Sequence, residues 1–246
     1  MNATLVFWTL VFFAVSCALL LLPFYPAWQE WRHPVDALRL SIQSLAPPHL
    51  EPLTAQMRLM PGATPPDTVR ASARILAPSG CKFHKLCAPT ILLGIADAAP
   101  NQPRRVQSIP LLKLDRAKRW GTKGWRIDGD CRIPQAHYLQ GNLVVTGTLH
   151  IEADCVIHGD IKTHGAVHVG PRSQLSGALF STQAITLQES AEIQGPVVSD
   201  TSVSIGPWVL IGNLEHPSMV SAPQIAAHAS AVVHGTVWAQ VTGRVM

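Results

Sequence analysis

Glycine recurs at every eighteenth residue in the second half of the chain, at Gly141, Gly159, Gly177 and Gly195. Four further columns with the same spacing contain only aliphatic residues. They are Leu143, Ile161, Leu179 and Val197; Leu149, Val167, Ile185 and Val203; Ile151, Val169, Leu187 and Ile205; and Ile157, Leu175, Ile193 and Ile211. A fixed period of this kind is typical of solenoids, in which each repeat packs only on its neighbours.

The period divides into three segments of six residues, which predicts an all-β fold: a triangular parallel β-helix with 18 residues per coil. Alternate residues of each short strand point inward, and coils stack ~4.8 Å apart, so the aliphatic columns should form one continuous core. The four glycines are predicted at coil corners, where the backbone needs a positive φ or a close approach. The pattern continues past a four-residue insertion within residues 212–223, after which Ile225 joins the column of Val203.

The N-terminus contains 21 residues without a charge, from Leu5 to Tyr25. At ~1.5 Å per residue, a helix of this length can cross a hydrocarbon core of ~30 Å, so we predict a transmembrane anchor. A cleaved signal peptide is disfavoured because the first four residues carry no basic side chain and bulky residues follow the apolar run. Arg32 and Arg39 follow the helix, which predicts a single-pass protein of the inner membrane with its C-terminal domain in the cytoplasm.

The predicted organisation has four parts. Residues 1–27 form the transmembrane anchor, and residues 28–80, with two Pro-Pro pairs, form a juxtamembrane linker. Residues 81–128 contain an extra first coil over 81–94 followed by a basic insertion. Residues 129–246 form the β-helix domain.

The basic insertion has eight Lys or Arg residues between Arg104 and Arg126, opposed only by Asp115. Because the anchor places it near lipid, we predict contact with an anionic membrane surface rather than with nucleic acid. The predicted contacts are Arg116, Lys118, Arg119, Trp120, Lys123 and Trp125. A second interpretation is that this segment packs against the acidic β-helix of its own chain or of a neighbouring subunit.

The histidines and cysteines were considered as catalytic or metal-binding groups. His150 and His168 share one outward column, and a metal site would also need His158 and His164. No convergent carboxylate accompanies them, which favours a solvated histidine ladder. The Cys81–His84–Cys87 spacing lacks a fourth ligand. We therefore predict no catalytic residue, no metal and no cofactor, and a protein that is not an enzyme.

The cysteine count leaves the redox state open. Cys81, Cys87, Cys131 and Cys155 are even in number and could pair in an exported domain, or stay reduced in the cytoplasm. Cys155 lies in a column of small residues, which predicts a buried, small apolar side chain.

The coils over residues 139–211 and the closing segment VVHGTVWAQVTGRV resemble the bactofilin family of bacterial polymer-forming cytoskeletal proteins. The apolar N-terminus followed by PAWQEWRHPVDALRL is similar to membrane-anchored members of that family. The resemblance implies a right-handed β-helix that polymerises end to end without nucleotide. It also implies partners among cell-envelope biosynthesis proteins.

The chain closes on QVTGRVM without a capping helix, so the C-terminal coil is expected to be open and to stack on another copy. The residues predicted at this contact are Val233, Val237, Trp238 and Val245. The predicted function is a membrane-anchored, self-associating scaffold that positions cell-envelope proteins. Two alternatives stay open: a left-handed hexapeptide-repeat acyltransferase, suggested by hexads such as VGPRSQ and IGPWVL, and a periplasmic envelope structural protein.

Overall fold

The computed structural model describes residues 3–25, 54–62, 67–94, 110–112, 117–121 and 124–246. The chain divides into two compact units, Met1–Glu51 and Pro52–Met246. Each unit is described separately below.

In the first unit, helix α1 runs from Ala3 to Leu21 and is followed by a 3₁₀ turn over Leu22–Phe24. Side chains are described for 12 residues of α1. Among the described residues, no helix is long and apolar enough to cross a membrane. The predicted membrane-spanning helix over Leu5–Tyr25 is therefore not found, because a span needs about 20 consecutive apolar residues.

The second unit is a parallel β-solenoid of about nine turns with coils of ~18 residues. Its first strands are β1 (Gln56–Arg58), β2 (Thr68–Arg70), β3 (Arg74–Ala77), β4 (Lys82–Leu93), β5 (Lys118–Trp120) and β6 (Gly124–Ile127). The coils continue with β7 (Cys131–Ile133), β8 (Tyr138–Gln140), β9 (Asn142–Val145), β10 (Leu149–Ile151), β11 (Val156–His158), β12 (Ile161–Thr163), β13 (Val167–Val169) and β14 (Gln174–Leu175). They end with β15 (Leu179–Ser181), β16 (Ile185–Leu187), β17 (Glu192–Ile193), β18 (Val197–Ser199), β19 (Ser202–Ile205), β20 (Leu210–Ile211), β21 (Ser218–Ala227) and β22 (Ala231–Val245).

The strands pair into three sides. Side 1 contains β7, β10, β13, β16 and β19, followed by the ends of β21 and β22 and the start of β4. Side 2 contains β8, β11, β14, β17 and β20, then the start of β22, the end of β4, β3 and β1. Side 3 contains β6, β9, β12, β15 and β18, then the start of β21, the middle of β22, the middle of β4 and β2.

The core lies along the axis, as the repeat predicted. All sixteen aliphatic positions of the four columns are buried, with at most 3% of each residue exposed. Partners 18 residues apart pair in register, for example Leu149 with Val167, and Ile225 follows Val203 after the insertion. Each coil therefore adds one aliphatic layer and shields the layer below it.

The structure places the four repeat glycines on one corner, between sides 2 and 3. Gly141 and Gly159 have positive φ angles of 108° and 146°. Gly177 and Gly195 do not, but a Cβ on Gly177 would overlap the carbonyl oxygen of Gly159, and one on Gly195 that of Gly177. At these two coils the requirement is close backbone stacking rather than a left-handed turn.

A second corner, between sides 1 and 2, adopts the left-handed conformation without glycine. The residues there recur every 18 positions with φ between 55° and 61°: Ala136, Asp154, Arg172, Ser190 and Trp208. None is a residue that sequence reasoning assigns to positive φ as readily as glycine. The available signal is the proline that precedes Arg172 and Trp208, since proline favours the position before such a residue in a type II turn.

The segment before the repeat forms coils of its own, here called the N-terminal stack (β1–β4). β4 is a full coil, but it does not precede β7 as predicted; it lies antiparallel on β22 at the opposite end of the main stack (β6–β22). Phe83 pairs with Gly243 on side 1, Leu86 with Val237 on side 3, and Ile91 with Val233 on side 2. Part of the predicted linker, residues 28–80, is also folded, because β1, β2 and β3 lie within it.

The two stacks have the same hand and meet end to end. In the main stack the chain passes sides 1, 2 and 3 in that order as it advances toward β22. In β4 it passes sides 1, 3 and 2, and because β1 pairs with β3 and β3 with β4, it advances in the opposite axial direction. Reversing both the rotation and the advance leaves the handedness unchanged.

Candidate interaction surfaces

The residues predicted to form an open C-terminal end are mostly interior. Val233, Val237 and Val245 are at most 2% exposed, and all three lie on the strand that β4 covers. Only Trp238 is exposed, at 42%, with the Lys85 ammonium 5.1 Å from its ring centroid. The prediction of an open C-terminal coil is therefore wrong, because the N-terminal stack continues the aliphatic columns beyond β22.

Open strand edges lie instead at the two far ends of the solenoid. Among the described residues, β1 and β2 at one end pair on one side only, with β3 and β4 respectively. At the other end β7 pairs only with β10, and β5 only with β6. The edges of these strands present backbone groups to which another strand could bond.

The hydrogen-bond pattern identifies which residues face the open edges. On β7, Cys131 N–H donates to the Thr148 carbonyl (2.9 Å) and the Ile133 carbonyl accepts from Glu152 N–H (3.0 Å). Arg132, between them, therefore directs its backbone groups away from β10. On β1, the Ala55 carbonyl accepts from Arg74 (3.0 Å).

Leu59 N–H donates to the Leu76 carbonyl (2.8 Å), so the same alternation turns the backbone of Gln56 and Arg58 outward. Sequence reasoning missed Arg58 and Arg132 as candidate contact residues. It placed the open end at β22, because nothing in the repeat announces the N-terminal stack.

The basic segment forms a hairpin, β5–β6, at the β7 end of the solenoid. Lys118 Nζ and Arg126 Nε donate to the Asp128 carboxylate at 3.1 and 2.8 Å, and these bonds hold the pKa of Asp128 below its usual range. Arg126 lies over the Trp120 ring (5.3 Å) and Arg119 over the Trp125 ring (5.9 Å). Both predicted ideas therefore apply in part: the hairpin packs on its own solenoid while Lys118, Arg119 and Trp120 stay exposed.

Two of the predicted membrane contacts, Arg116 and Lys123, lie outside the described residues. Trp125 is half-buried and packs against the hydrophobic core, so it anchors the hairpin rather than facing outward.

The histidine ladder has the predicted geometry. The rings of His150 and His168 stack with centroids 4.6 Å apart and planes 11° from parallel, on the outward column of side 1. Burial, followed by the neighbouring His150, lowers the pKa of His168. His158 bonds Ser176 on side 2 and is not part of this pair, and no group of three His, Cys, Asp or Glu residues within the described parts of the chain could hold a metal ion.

The cysteines are all unpaired. Cys81 points into the core on side 1, whereas Cys87 is outward and half-buried on side 3, so the two thiols do not converge with His84. Burial raises the pKa of the Cys131 thiol to about 11 and also raises that of Cys155. Cys155 is fully buried, as its column predicted, and its Sγ donates to the Pro134 carbonyl at 3.1 Å.

Lowering the pH should weaken the fold through His168. Because its pKa is lower in the folded state, the unfolded chain binds a proton first as the pH falls through the ordinary histidine range. The free energy of unfolding is therefore expected to be lower at pH ~5 than at pH ~7.5. His168→Gln should flatten this dependence in urea titrations, whereas His216→Gln, in an exposed turn, should not. An unchanged slope in His168→Gln would contradict the assignment.

Comparisons of the chain with protein-family models, with curated proteins and with solved structures each returned no match. The fold is thus that of a β-solenoid of about nine turns, and no family is identified.

Proposed function

We propose that this protein is a self-associating scaffold whose solenoids stack end to end through their open edge strands, without nucleotide, in the manner of bactofilins. The observation that supports this most directly is the junction between β4 and β22. There, two coil stacks of the same hand already meet end to end across all three sides, with aliphatic residues continuing through the contact. A contact between chains needs only the same geometry at β1 and β2, or at β5 and β7.

The charges at the ends determine how such stacking should respond to salt. One end carries Arg58 and Arg70, and the other carries Lys118, Arg119 and Arg132. Cations on edge strands oppose pairing at low ionic strength. Because salt screens exposed charges beyond ~8–10 Å, assembly is expected to increase as salt is added.

The proposed location is the cytoplasmic face of the inner membrane. Exposed apolar side chains on the first unit, among them Phe12, Phe13 and Leu20, supply a surface that lipid would cover. In this proposal the role is structural rather than enzymatic, and the assembled solenoids position cell-envelope biosynthesis proteins. Fractionation of cells, with the protein followed in membrane and soluble fractions, tests the location.

Proline at an open edge tests the stacking. Arg132→Pro removes an N–H that faces the open edge of β7, and Arg58→Pro does the same on β1. Because neither N–H bonds within the chain, each variant should fold. Arg132→Ala and Arg58→Ala remove the same side chains, including the Arg132–Glu152 ion pair, but keep the N–H groups.

Negative-stain microscopy and light scattering of the full chain give the readout. The parent and both alanine variants should form elongated assemblies, and the double proline variant should be monomeric. Dimers in each single proline variant would identify like-with-like stacking, and monomers would identify head-to-tail stacking. Long assemblies in the double proline variant, or a monomeric parent at all salt concentrations, would refute the proposed function.

A further inference from the structure

Side 3 carries one outward column that runs the full length of the solenoid, here called the side 3 column. Its members, in axial order, are Arg126, Val144, Lys162, Phe180, Val198, Ser221, Trp238, Lys85 and Thr68. Eight steps of ~4.8 Å give a row about 38 Å long. It extends across the junction, because Trp238 belongs to the main stack and Lys85 to the N-terminal stack.

The middle of this row is apolar and exposed. Phe180 and Trp238 are 39% and 42% exposed, and Met219, in the neighbouring column, is 38% exposed. Val198 lies between the two aromatic residues, and Leu214, in the inserted turn that precedes β21, is 68% exposed. Large side chains that could have been placed inward are thus kept on a flat, water-facing sheet.

Cations bracket the apolar middle. Lys162 lies one coil from Phe180, and Lys85 lies one coil from Trp238. None of the nine residues of the side 3 column is acidic. The nearest acid in the adjacent column is Asp160, whose Oδ1 already accepts the Ala178 N–H at 2.9 Å, and Asp128 is engaged by Arg126.

The basic hairpin extends the same side. β5 pairs with β6 and β6 with β9, so Lys118, Arg119 and Trp120 lie beyond the Arg126 end of the side 3 column. Trp120 is 55% exposed. The fold therefore brings the exposed part of the predicted membrane-contact segment onto the side that carries Phe180 and Trp238, residues more than 50 positions away in sequence.

The other two sides lack this combination. The corresponding column of side 1 has Arg132, Arg244 and Lys82 but no large apolar side chain, since its middle is His150, His168, Thr186, Ser204 and Ala226. The column of side 2 has leucines at its β1 end, but its middle holds Gln174 and Glu192, which bond each other at 2.9 Å.

We propose that side 3 is a lipid-binding face that lies flat on an anionic bilayer. Phe180, Met219 and Trp238 would enter the interfacial region, where tryptophan and phenylalanine are favoured. Lys162, Lys85 and the hairpin cations would contact lipid phosphates, each adding attraction to a negatively charged surface. The inference rests on the membrane location proposed above but not on end-to-end assembly.

The test is binding of the full chain to vesicles of phosphatidylcholine alone and of phosphatidylcholine with phosphatidylglycerol, followed by flotation. Helix α1 can contribute to both, so the informative quantity is the gain in binding that anionic lipid produces. Lys85→Glu with Lys162→Glu should reduce this gain about thirtyfold or more. The matched control is Lys82→Glu with Arg244→Glu, the same charge change at exposed positions on side 1.

A second pair of variants separates lipid from other polyanions. Phe180→Ser with Trp238→Ser should weaken anionic-vesicle binding about tenfold, whereas Leu210→Ser with Val232→Ser, at half-buried outward positions of side 2, should not. The proposal is overturned if anionic lipid gives no gain, if the side 1 and side 3 charge variants lose equally, or if soluble polyphosphate binds as well and the aromatic variants have no effect. Failure of assembly in the edge-strand experiment would leave these outcomes unaffected.

Discussion

Val237→Asp is expected to destabilise the solenoid by on the order of 4 kcal/mol and to release the N-terminal stack. Val237 is fully buried between Val220 of β21 and Leu86 of β4, so the new carboxylate would have only aliphatic neighbours within its column. An unpaired buried charge must either stay desolvated or open the structure to water. The junction is the place to open, because β4 is joined to β22 by strand pairing alone while β22 continues directly into the main stack.

Urea unfolding and limited proteolysis measure the two parts of this result. The unfolding midpoint should fall, and cleavage within residues 67–94 should become faster than cleavage within residues 131–211. Gln240→Asp places the same group at an exposed position of the same strand and should leave both unchanged. Equal stability of Val237→Asp and Gln240→Asp would show that β4 does not cover β22 in solution.

Gly177→Val is expected to cost roughly 3 kcal/mol of unfolding free energy. The added Cβ would overlap the backbone of Gly159 in the coil below, and Gly195 approaches Gly177 from the coil above in the same manner. Strand hydrogen bonding holds the coils ~4.8 Å apart, so the clash cannot be relieved by a side-chain rotation. Either the corner must shift or the pairing between successive coils must stretch.

Thermal unfolding of the two variants Gly177→Val and Ala178→Val tests this prediction. Ala178 is the next residue, is half-buried, and lies on the outward side of the strand, so valine there should change the midpoint little. If both variants unfolded at the parent temperature, close stacking at the glycine corner would not be what constrains these positions.

The core was predictable from sequence because its pattern is local. Leu149 and Val167 are 18 residues apart, and every contact that the columns predicted joins one coil to the next. The repeat therefore shows the layering, the inward positions and the outward position of His150 and His168 directly. The coil corner at Arg172 could not be predicted with the same ease, because its left-handed backbone is adopted by five different residue types, none of them glycine.

The N-terminal stack could not be predicted for a different reason. β1, β2 and β3 are three or four residues long, and their side chains do not repeat with the period of the main stack. They gain stability by packing on β4, and β4 by pairing with β22, about 150 residues away in sequence. A strand of that length has no preference strong enough to be read without knowing its partner.

The amino-acid sequence by itself determined that residues 139–211 stack as 18-residue coils around an aliphatic axis, because each coil needs only its immediate neighbours to bury its inward residues. The tertiary structure alone decided which ends are open and which side is apolar and basic. Both depend on where distant segments meet: β4 covers β22 and closes the end that the sequence left open, and the β5–β6 hairpin joins side 3 at the other end. Long-range pairing of this kind follows from shape and burial across the whole unit rather than from a local period.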